Sequence, residues 1–406
     1  MDFSLPWLGI WQALTQSPLV LLALMFLLAS VIAELAVRYL RIPRFSALVL
    51  SGLGLAALAH ALNALPPSLK LGQWLEAFSM LILFEIGQRL SYEWLKRNPW
   101  LVVISLFESV VTFVALYLLL VMVLSMAYLP AIIVAVIGMA SSPIAVLAVS
   151  KELRARGQVT ERTLLFSTLS TVYAALALQL TLTGALVTDG LDIATVMQPI
   201  VQLCGSFLMG TFAAWLLLIF ARIVTSRGAV QVVAVASMCA LIYAVCQPFG
   251  LSPLLAAIAF GLMARAIDTK RRIAAFELTE TGTLLTIAFF VLTGAALQWQ
   301  FSWEAYAIAI ALVGVRLLTK MLANSVLALP SGLMIRKGIL VGLAQAPLSG
   351  VALMLTLQVV VNYPHLAQPL QPALAAILLL AVAGPALTEV ALRLAKEHTP
   401  EIRSKR

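Results

Sequence analysis

The stretch GMASSPIAVLAVSKE, residues 138–152, places Ser141, Ser142 and Pro143 inside a hydrophobic run. A proline in a helix interior costs about 3 kcal/mol, because it removes a backbone hydrogen bond and its ring clashes with the preceding turn. The segment is therefore either a membrane helix with a tolerated kink or a helix whose backbone is interrupted in order to hold something. A second stretch of the same kind, further along the chain, favours the interruption.

The composition is typical of a membrane protein. The 406 residues are 62% hydrophobic and only 11% charged, with a mean hydropathy of +1.04. A soluble domain of this size would need more polar surface. Apolar stretches of about 20 residues, long enough to cross a hydrocarbon core, follow one another with short polar connections. The sequence therefore predicts an all-α, polytopic membrane protein.

We predict thirteen transmembrane spans. They lie at about 17–37, 44–63, 73–89, 100–126, 129–150, 162–187, 195–221, 229–247, 251–264, 280–298, 303–328, 338–361 and 369–391. Nearly all of the 26 Lys and Arg then fall on one side of the membrane. The positive-inside rule makes that side cytoplasmic, with the N-terminus outside and the C-terminus inside. The net charge of +9 is thus explained without a nucleic-acid partner.

Spans one to six and eight to thirteen fit two inverted repeats joined by span seven. Transporters built in this way carry interrupted helices at matching places in the two halves. Span five contains the quoted stretch, and its counterpart, span twelve, reads GLAQAPLSGVAL over residues 342–353. We therefore predict two crossed broken helices, interrupted near Pro143, Pro347 and Gly350. The helix dipoles that meet at such a crossing need compensating charges.

Three further stretches carry recognisable motifs: YLRIPRFSALVLSGLGL (39–55), MLILFEIGQRL (80–90) and FFVLTGAALQ (289–298). With the two interrupted stretches, and in this order, they resemble the monovalent cation:proton antiporter superfamily, in particular its sodium/hydrogen exchanger-like, Kef-type branch. The resemblance extends over essentially the whole chain. It implies a homodimer in which a core that carries the broken helices moves against a scaffold in an elevator-like cycle.

The resemblance also implies a division of the chain. Scaffold helices would occupy about 17–89 and 229–298, core helices about 100–187 and 303–391, and a linker helix about 195–221. We expect one transmembrane domain over residues 1–406, in a bacterial cytoplasmic membrane. The connections between spans are too short for a soluble regulatory domain.

The acidic residues of that family are missing here. The family couples transport through an Asp in the span after the first broken helix, near a Lys or Arg. In the matching stretch TLLFSTLSTVYAALAL (163–178), Ser170 and Thr171 occupy the acidic positions. The basic position holds Lys320, with Arg316 one turn earlier on the same face. Two cations in a membrane cost about 2.5 to 3.5 kcal/mol each, so we expect a carboxylate elsewhere to compensate them.

Glu108 is the first candidate for that carboxylate. It lies about eight residues into span four, ~12 Å deep at the helical rise per residue, and Lys320 lies at a similar depth. A role in coupling and a purely structural pair with Lys320 or Arg316 fit the sequence equally well. Glu85 is the second candidate, although a local pair with Arg89, one turn later, also explains it.

Polar side chains near the two breaks are candidates to bind the transported ion. Together with carbonyls freed at the breaks, they could coordinate a weakly held cation, or they could form ordinary hydrogen bonds between helices. These residues are Ser141, Ser142, Ser170, Thr171, Gln345 and Ser349. We expect no cofactor and no metal site, because the three cysteines lie in apolar spans without metal-ligand spacing.

The leading interpretation is a secondary active transporter that exchanges a monovalent cation, Na⁺ or K⁺, for protons. Since Ser and Thr do not titrate in the working range, proton coupling would require Glu108, Glu85 or Lys320. An anion or organic-solute carrier, favoured by the two retained cations, and a non-transporting sensor subunit are the alternatives on the same fold. An intramembrane enzyme is disfavoured, because the chain lacks His-Glu-X-X-His and any Ser/His or Asp pair placed for proteolysis.

Overall fold

The computed structural model describes residues 17–40, 42–61, 71–89, 98–186, 193–223, 229–268, 281–297, 300–348 and 350–398. Within these ranges the chain is helical apart from short connections. Ser349 and Lys70 are among the residues outside them.

The helices overlap the predicted spans, and we number them accordingly. They are α1 (Pro18–Leu35), α2 (Arg44–Ala61), α3 (Leu71–Arg89), α4 (Trp100–Leu118), α5a (Tyr128–Met139), α5b (Pro143–Glu152), α6 (Gln158–Leu186), α7 (Ile193–Ile223), α8 (Ala229–Cys246), α9 (Pro253–Ile267), α10 (Thr281–Ala296), α11 (Trp303–Val326), α12a (Ile335–Ala344), α12b (Gly350–Asn362) and α13 (Gln371–Leu394). Short π-helical turns extend α1 over Ala36–Leu40 and α4 over Leu119–Val123.

Eight helical segments in the described part of the chain are long and apolar enough to cross a membrane. They are α1, α2, α4, α5a with α5b, α6, α7, α11 and α13. The helices α8, α9, α10 and α12b are apolar but shorter. The all-α, multi-pass membrane fold is confirmed, whereas the count of thirteen spans, their orientation and the inverted repeat stay predictions.

Glycines let α2 and α10 approach each other closely. A Cβ on Gly52 would overlap the backbone carbonyl of Val291, and a Cβ on Gly294 would overlap that of Val49. Membrane helices associate largely through such close packing of small residues, because lipid provides no hydrophobic force between them. Gly52 and Gly294, from the motif stretches 39–55 and 289–298, therefore belong to one helix crossing.

A second crossing of the same kind joins α3 to α9. A Cβ on Gly87 would overlap the carbonyl of Ile258, and one on Gly261 would overlap the carbonyl of Phe84. The rings of Phe84 and Phe260 pack beside this contact with their centroids 4.4 Å apart. Together with the contacts of α10 against α3, these crossings assemble α2, α3, α9 and α10 into one group of helices.

A second group surrounds α11. This helix packs against α4, α12a and α13, and α4 packs in turn against α5a and α6. Gly338 and Gly342 allow α12a to lie directly on the backbone of α11. The two groups meet where α3 contacts α5b and α12b, and where α2 contacts α13.

We expect Gly52→Ala to destabilise the protein, because the added methyl group would displace the backbone of α10. Overpacking of this kind costs about 1–3 kcal/mol, so the thermal unfolding midpoint in detergent should fall. Gly54→Ala, in the same helix with no atom near its Cβ position, is the matched control. It should leave the midpoint unchanged or raise it slightly, since Ala favours helix over Gly. Equal midpoints for the two variants would contradict the close crossing.

Candidate functional site

The two interrupted helices meet at their interruptions. Residues 140–142 separate α5a from α5b, and the described residues 345–348 follow α12a before α12b begins at Gly350. The backbone N–H of Ser142 donates a hydrogen bond to the carbonyl oxygen of Pro347 over 2.8 Å. The two breaks are therefore in direct contact, with four half-helix ends gathered around them.

Each proline has a distinct place in this arrangement. Pro143 is the first residue of α5b, where its missing N–H would have no helical partner in any case. The side chain of Ser142 caps the same helix by accepting a hydrogen bond from the N–H of Ala145 over 3.3 Å. Pro347 lies within the second break, and Gly350 is the first residue of α12b. The prolines thus flank or occupy the interruptions instead of kinking a continuous helix.

The buried guanidinium group of Arg316 on α11 joins both breaks. All three of its nitrogens donate hydrogen bonds to groups at the ends of α5a and α12a. The acceptors are the carbonyl oxygens of Gly138 (2.8 Å), Ala140 (2.7 Å), Gln345 (3.0 Å) and Ala346 (2.8 Å), with the Ser141 hydroxyl at 3.2 Å. The last carbonyls of a helix have no partner within it and carry the negative end of its dipole. One cation therefore compensates two helix ends.

One turn from Arg316, Lys320 forms an ion pair with Glu108 of α4. The ammonium Nζ donates to the carboxylate Oε1, and neither side chain is exposed. The second carboxylate oxygen, Oε2, makes no hydrogen bond within the described residues. A buried charge is strongly unfavourable unless it is paired, so the two groups compensate each other. The sequence allowed either Lys320 or Arg316 as the partner of Glu108, and in the structure Glu108 pairs with Lys320.

The side chains of Ser170 and Thr171 on α6 donate hydrogen bonds to backbone carbonyls. The hydroxyl of Thr171 donates to the carbonyl of Ser141 at 2.6 Å and lies 2.8 Å from that of Ser167. The hydroxyl of Ser170 donates to the carbonyl of Ser167 at 3.1 Å. Thr171 therefore ties α6 to the first break.

Few carbonyls at the crossing are left for an ion. The carbonyls of residues 138, 140, 345 and 346 accept from Arg316, that of Ser141 accepts from Thr171, and that of Pro347 accepts from Ser142. The sequence suggested that such carbonyls could bind the cation. In the structure four of these carbonyls accept hydrogen bonds from the Arg316 guanidinium group, whose positive charge opposes a bound cation beside it.

Buried side-chain oxygens without partners lie on α4, α6 and the end of α12a instead. Within the described residues they include Glu108 Oε2, Ser109 Oγ, Thr163 Oγ1, Ser167 Oγ and Gln345 Oε1. The amide nitrogen of Gln345 is also unpartnered. The helix α6 packs against both α4 and α12a. A buried polar atom without a partner costs about 1–3 kcal/mol, so this region of the core suits water or a small cation.

Glu85, the second predicted carboxylate, contacts a residue that sequence reasoning missed. Its Oε1 lies 2.5 Å from Nζ of Lys151, near the end of α5b. The local partner suggested by the sequence, Arg89, has a side chain outside the described part of the structure. Lys151 could have been noticed only as a cation at the end of the first interrupted span, since nothing in the sequence indicates that α3 contacts α5b.

The sequence matches the family described as sodium/hydrogen exchanger, transmembrane, over residues 22–393. The chain belongs to this family. Membership supports a cation:proton antiporter of the monovalent cation:proton antiporter superfamily and makes the protein a transporter, not an enzyme. Placement in the Kef-type branch stays a prediction.

Two structures of the sodium proton antiporter MjNhaP1 from Methanocaldococcus jannaschii have a similar fold. The structure at pH 8 is 16% identical, covers 93% of this chain and 95% of that chain, and has a TM-score of 0.63. The electron-microscopy structure is 18% identical, covers 94% of this chain and 98% of that chain, and has a TM-score of 0.69. At these identities the similarity concerns the fold only. No curated protein matches the sequence.

We expect Arg316→Lys to destabilise the protein although it keeps the charge. An ammonium group cannot reach carbonyls at both breaks with the spread of a guanidinium fork, and each carbonyl left unpaired costs about 1–3 kcal/mol. The thermal midpoint in detergent should therefore fall clearly. Arg393→Lys, at an exposed pair with Glu389, is the control and should change stability by less than about 0.5 kcal/mol. If both variants unfold at the same temperature, Arg316 does not hold the crossing together.

Proposed function

We propose that this exchanger carries Na⁺ or K⁺ in one direction and protons in the other, and that Glu108 binds the two cargoes in turn. The observation that carries the proposal is the buried pair of Glu108 with Lys320, one helical turn from the residue that contacts both broken helices. Glu108 thus has the role that the family resemblance implies for an Asp on α6, although Glu108 lies on α4.

The chemistry of the pair suits exchange. The free Oε2 of Glu108 can accept a proton or contact a cation. Protonation removes the negative charge that attracts the cation, so the two cargoes compete for the carboxylate. When neither cargo is bound, Lys320 balances the carboxylate charge, so the empty carrier contains no unpaired acid in the membrane. Ser170 and Thr171 cannot take this role, because hydroxyl groups do not titrate in the working range.

The unpartnered oxygens on α4, α6 and at the end of α12a support a cation as the cargo. Small hard cations prefer oxygen ligands, and Ser109, Ser167 and Gln345 offer side-chain oxygens with no protein partner among the described residues. We propose that Glu108 Oε2 supplies the charge at this site and that some of these neutral oxygens complete it. Ser141, Ser142 and Thr171 shape the crossing through the hydrogen bonds described above.

The grouping of helices supports an elevator-type mechanism. In the proposal, the group around α11 is the moving core (about 100–187 and 303–391), and the group around α3 is the scaffold (about 17–89 and 229–298). The linker is about 195–221. If spans one to six are paired in order with spans eight to thirteen, α2 corresponds to α9 and α3 to α10. The α2–α10 crossing then corresponds to the α3–α9 crossing, which supports the inverted repeat. We also infer a homodimer from the family resemblance, in a bacterial cytoplasmic membrane, and an N-terminus outside from the positive-inside rule.

The anion or solute carrier is less well supported by the geometry. Its argument rests on two cations in the core, yet each nitrogen of Arg316 donates to the protein and Lys320 contacts Glu108. Neither cation is then available to an anion without breaking a buried contact. The sensor without transport would keep the same contacts, and flux measurements separate it from the exchanger.

We expect Glu108→Gln to abolish cation-driven proton movement in everted membrane vesicles, measured with a fluorescent pH-gradient dye. Because this change leaves Lys320 unpaired, the double variant Glu108→Gln/Lys320→Gln tests coupling without a buried lone charge. It should fold but remain inactive, whereas Glu389→Gln, which removes a partly exposed carboxylate of α13, should retain activity. Full exchange by a folded Glu108→Gln protein would remove Glu108 from the mechanism.

We expect the same vesicles to respond to the cation supplied and not to the anion. Addition of Na⁺ or K⁺ salts should collapse an imposed pH gradient, and exchanging chloride for sulfate or gluconate should change little. The reason is that the unpartnered charged oxygen of the core belongs to a carboxylate. Dependence on the anion, with indifference to Na⁺, K⁺ and Li⁺, would favour the anion carrier, and absence of any flux would favour the sensor.

A further inference from the structure

An ion pair crosses the boundary between the two groups of helices on α3 and α5b. Glu85 Oε1 and Lys151 Nζ are 2.5 Å apart, and the side chains of Glu85 and Lys151 are 3% and 30% exposed. Charge-assisted contacts of this kind are about twice as strong as neutral hydrogen bonds. The carboxylate is buried on an otherwise apolar stretch of α3 and would be costly there without its partner.

Glu85 is firmly fixed on its own side of the boundary. It is flanked by Phe84 and Gly87, through which α3 lies directly on α9. At such close contact, a helix cannot shift without displacing the backbone of its neighbour. The carboxylate of Glu85 therefore has a defined position relative to the α2, α3, α9 and α10 group.

Lys151 is fixed to the crossing in the other group. It is the penultimate residue of α5b, a ten-residue half-helix about 15 Å long. The opposite end of α5b begins at Pro143, directly after the Ser142 contact with Pro347. Because α5b is short and continuous, the position of Lys151 determines that of the crossing.

We propose that Glu85 is a positioning residue, which holds α5b and the crossing of the two breaks against α3 through its ion pair with Lys151. The inference rests on the proposed elevator-type movement, because a core that slides along the scaffold must open this pair in every cycle. The pair thereby stabilises the conformation described here relative to the alternate conformation of the elevator cycle. A stronger pair would slow the opening step and with it the exchange.

A second contact across the boundary provides an independent reporter. The hydroxyl of Ser46 on α2 donates to the carbonyl of Val382 on α13 over 2.6 Å, and Ser46 is 2% exposed. If α13 moves with the core, Ser46 becomes exposed when the core slides. A cysteine at position 46 would then react with a maleimide only in the alternate conformation.

The experiment uses the full-length protein in membranes, with Ser46→Cys as the single cysteine after replacing Cys204, Cys239 and Cys246 by Ala. In this background, Glu85→Gln and Lys151→Gln should each increase the labelling rate about tenfold, since the rate follows the population of the exposed state. The charge exchange Glu85→Lys/Lys151→Glu should return the rate to within about twofold of the parent. Glu304→Gln, which removes an exposed carboxylate in the first turn of α11, is the control and should leave the labelling rate unchanged.

Two results would overturn the proposal: unchanged labelling in both single variants, or faster labelling that the charge exchange does not reverse. If Glu85→Gln fails to fold, Lys151→Gln, which alters the more exposed partner, still provides the test. Labelling requires no transport activity. An inactive Glu108→Gln protein can therefore show the Glu85 effect, and a protein without that effect can still exchange ions, so the two proposals fail separately.

Discussion

The structure depends on one constraint: two helices that stop inside a membrane leave carbonyl groups that something must satisfy. Arg316 does this for both helices at once, with four backbone carbonyls accepting from one guanidinium group. A planar cation with donors on three nitrogens can bridge two helix ends, whereas a point charge such as Lys cannot. Arg316 thereby joins the ends of α5a and α12a, and Lys320 lies one turn further along α11.

The ion pair of Lys320 with Glu108 lies one helical turn from this guanidinium group. Lys320 needs a carboxylate because it is fully buried, and Glu108 provides it from α4. The helix α4 packs directly against α11, which brings the acid and the base together. Ser170 and Thr171 donate hydrogen bonds to backbone carbonyls within α6 and at the first break.

Much of this could be predicted from the sequence because its signals are local. Proline and small polar residues in an apolar run indicate the two breaks, and counting residues at helical rise places Glu108 and Lys320 at one depth. The rest depends on which helices touch. Backbone carbonyls leave no trace in a sequence, so the acceptors of Arg316 could not be foreseen and the carbonyls at the breaks looked free for an ion. The Glu85–Lys151 pair could not be predicted either, because it depends on the contact between α3 and α5b.

The most direct test of this account is a cryo-electron microscopy map at a resolution that shows carbonyl oxygens. The account predicts continuous density from the Arg316 side chain to the ends of α5a and α12a, with Lys320 against Glu108 in the adjacent turn. Two continuous helices, or an Arg316 side chain directed away from both breaks, would contradict it.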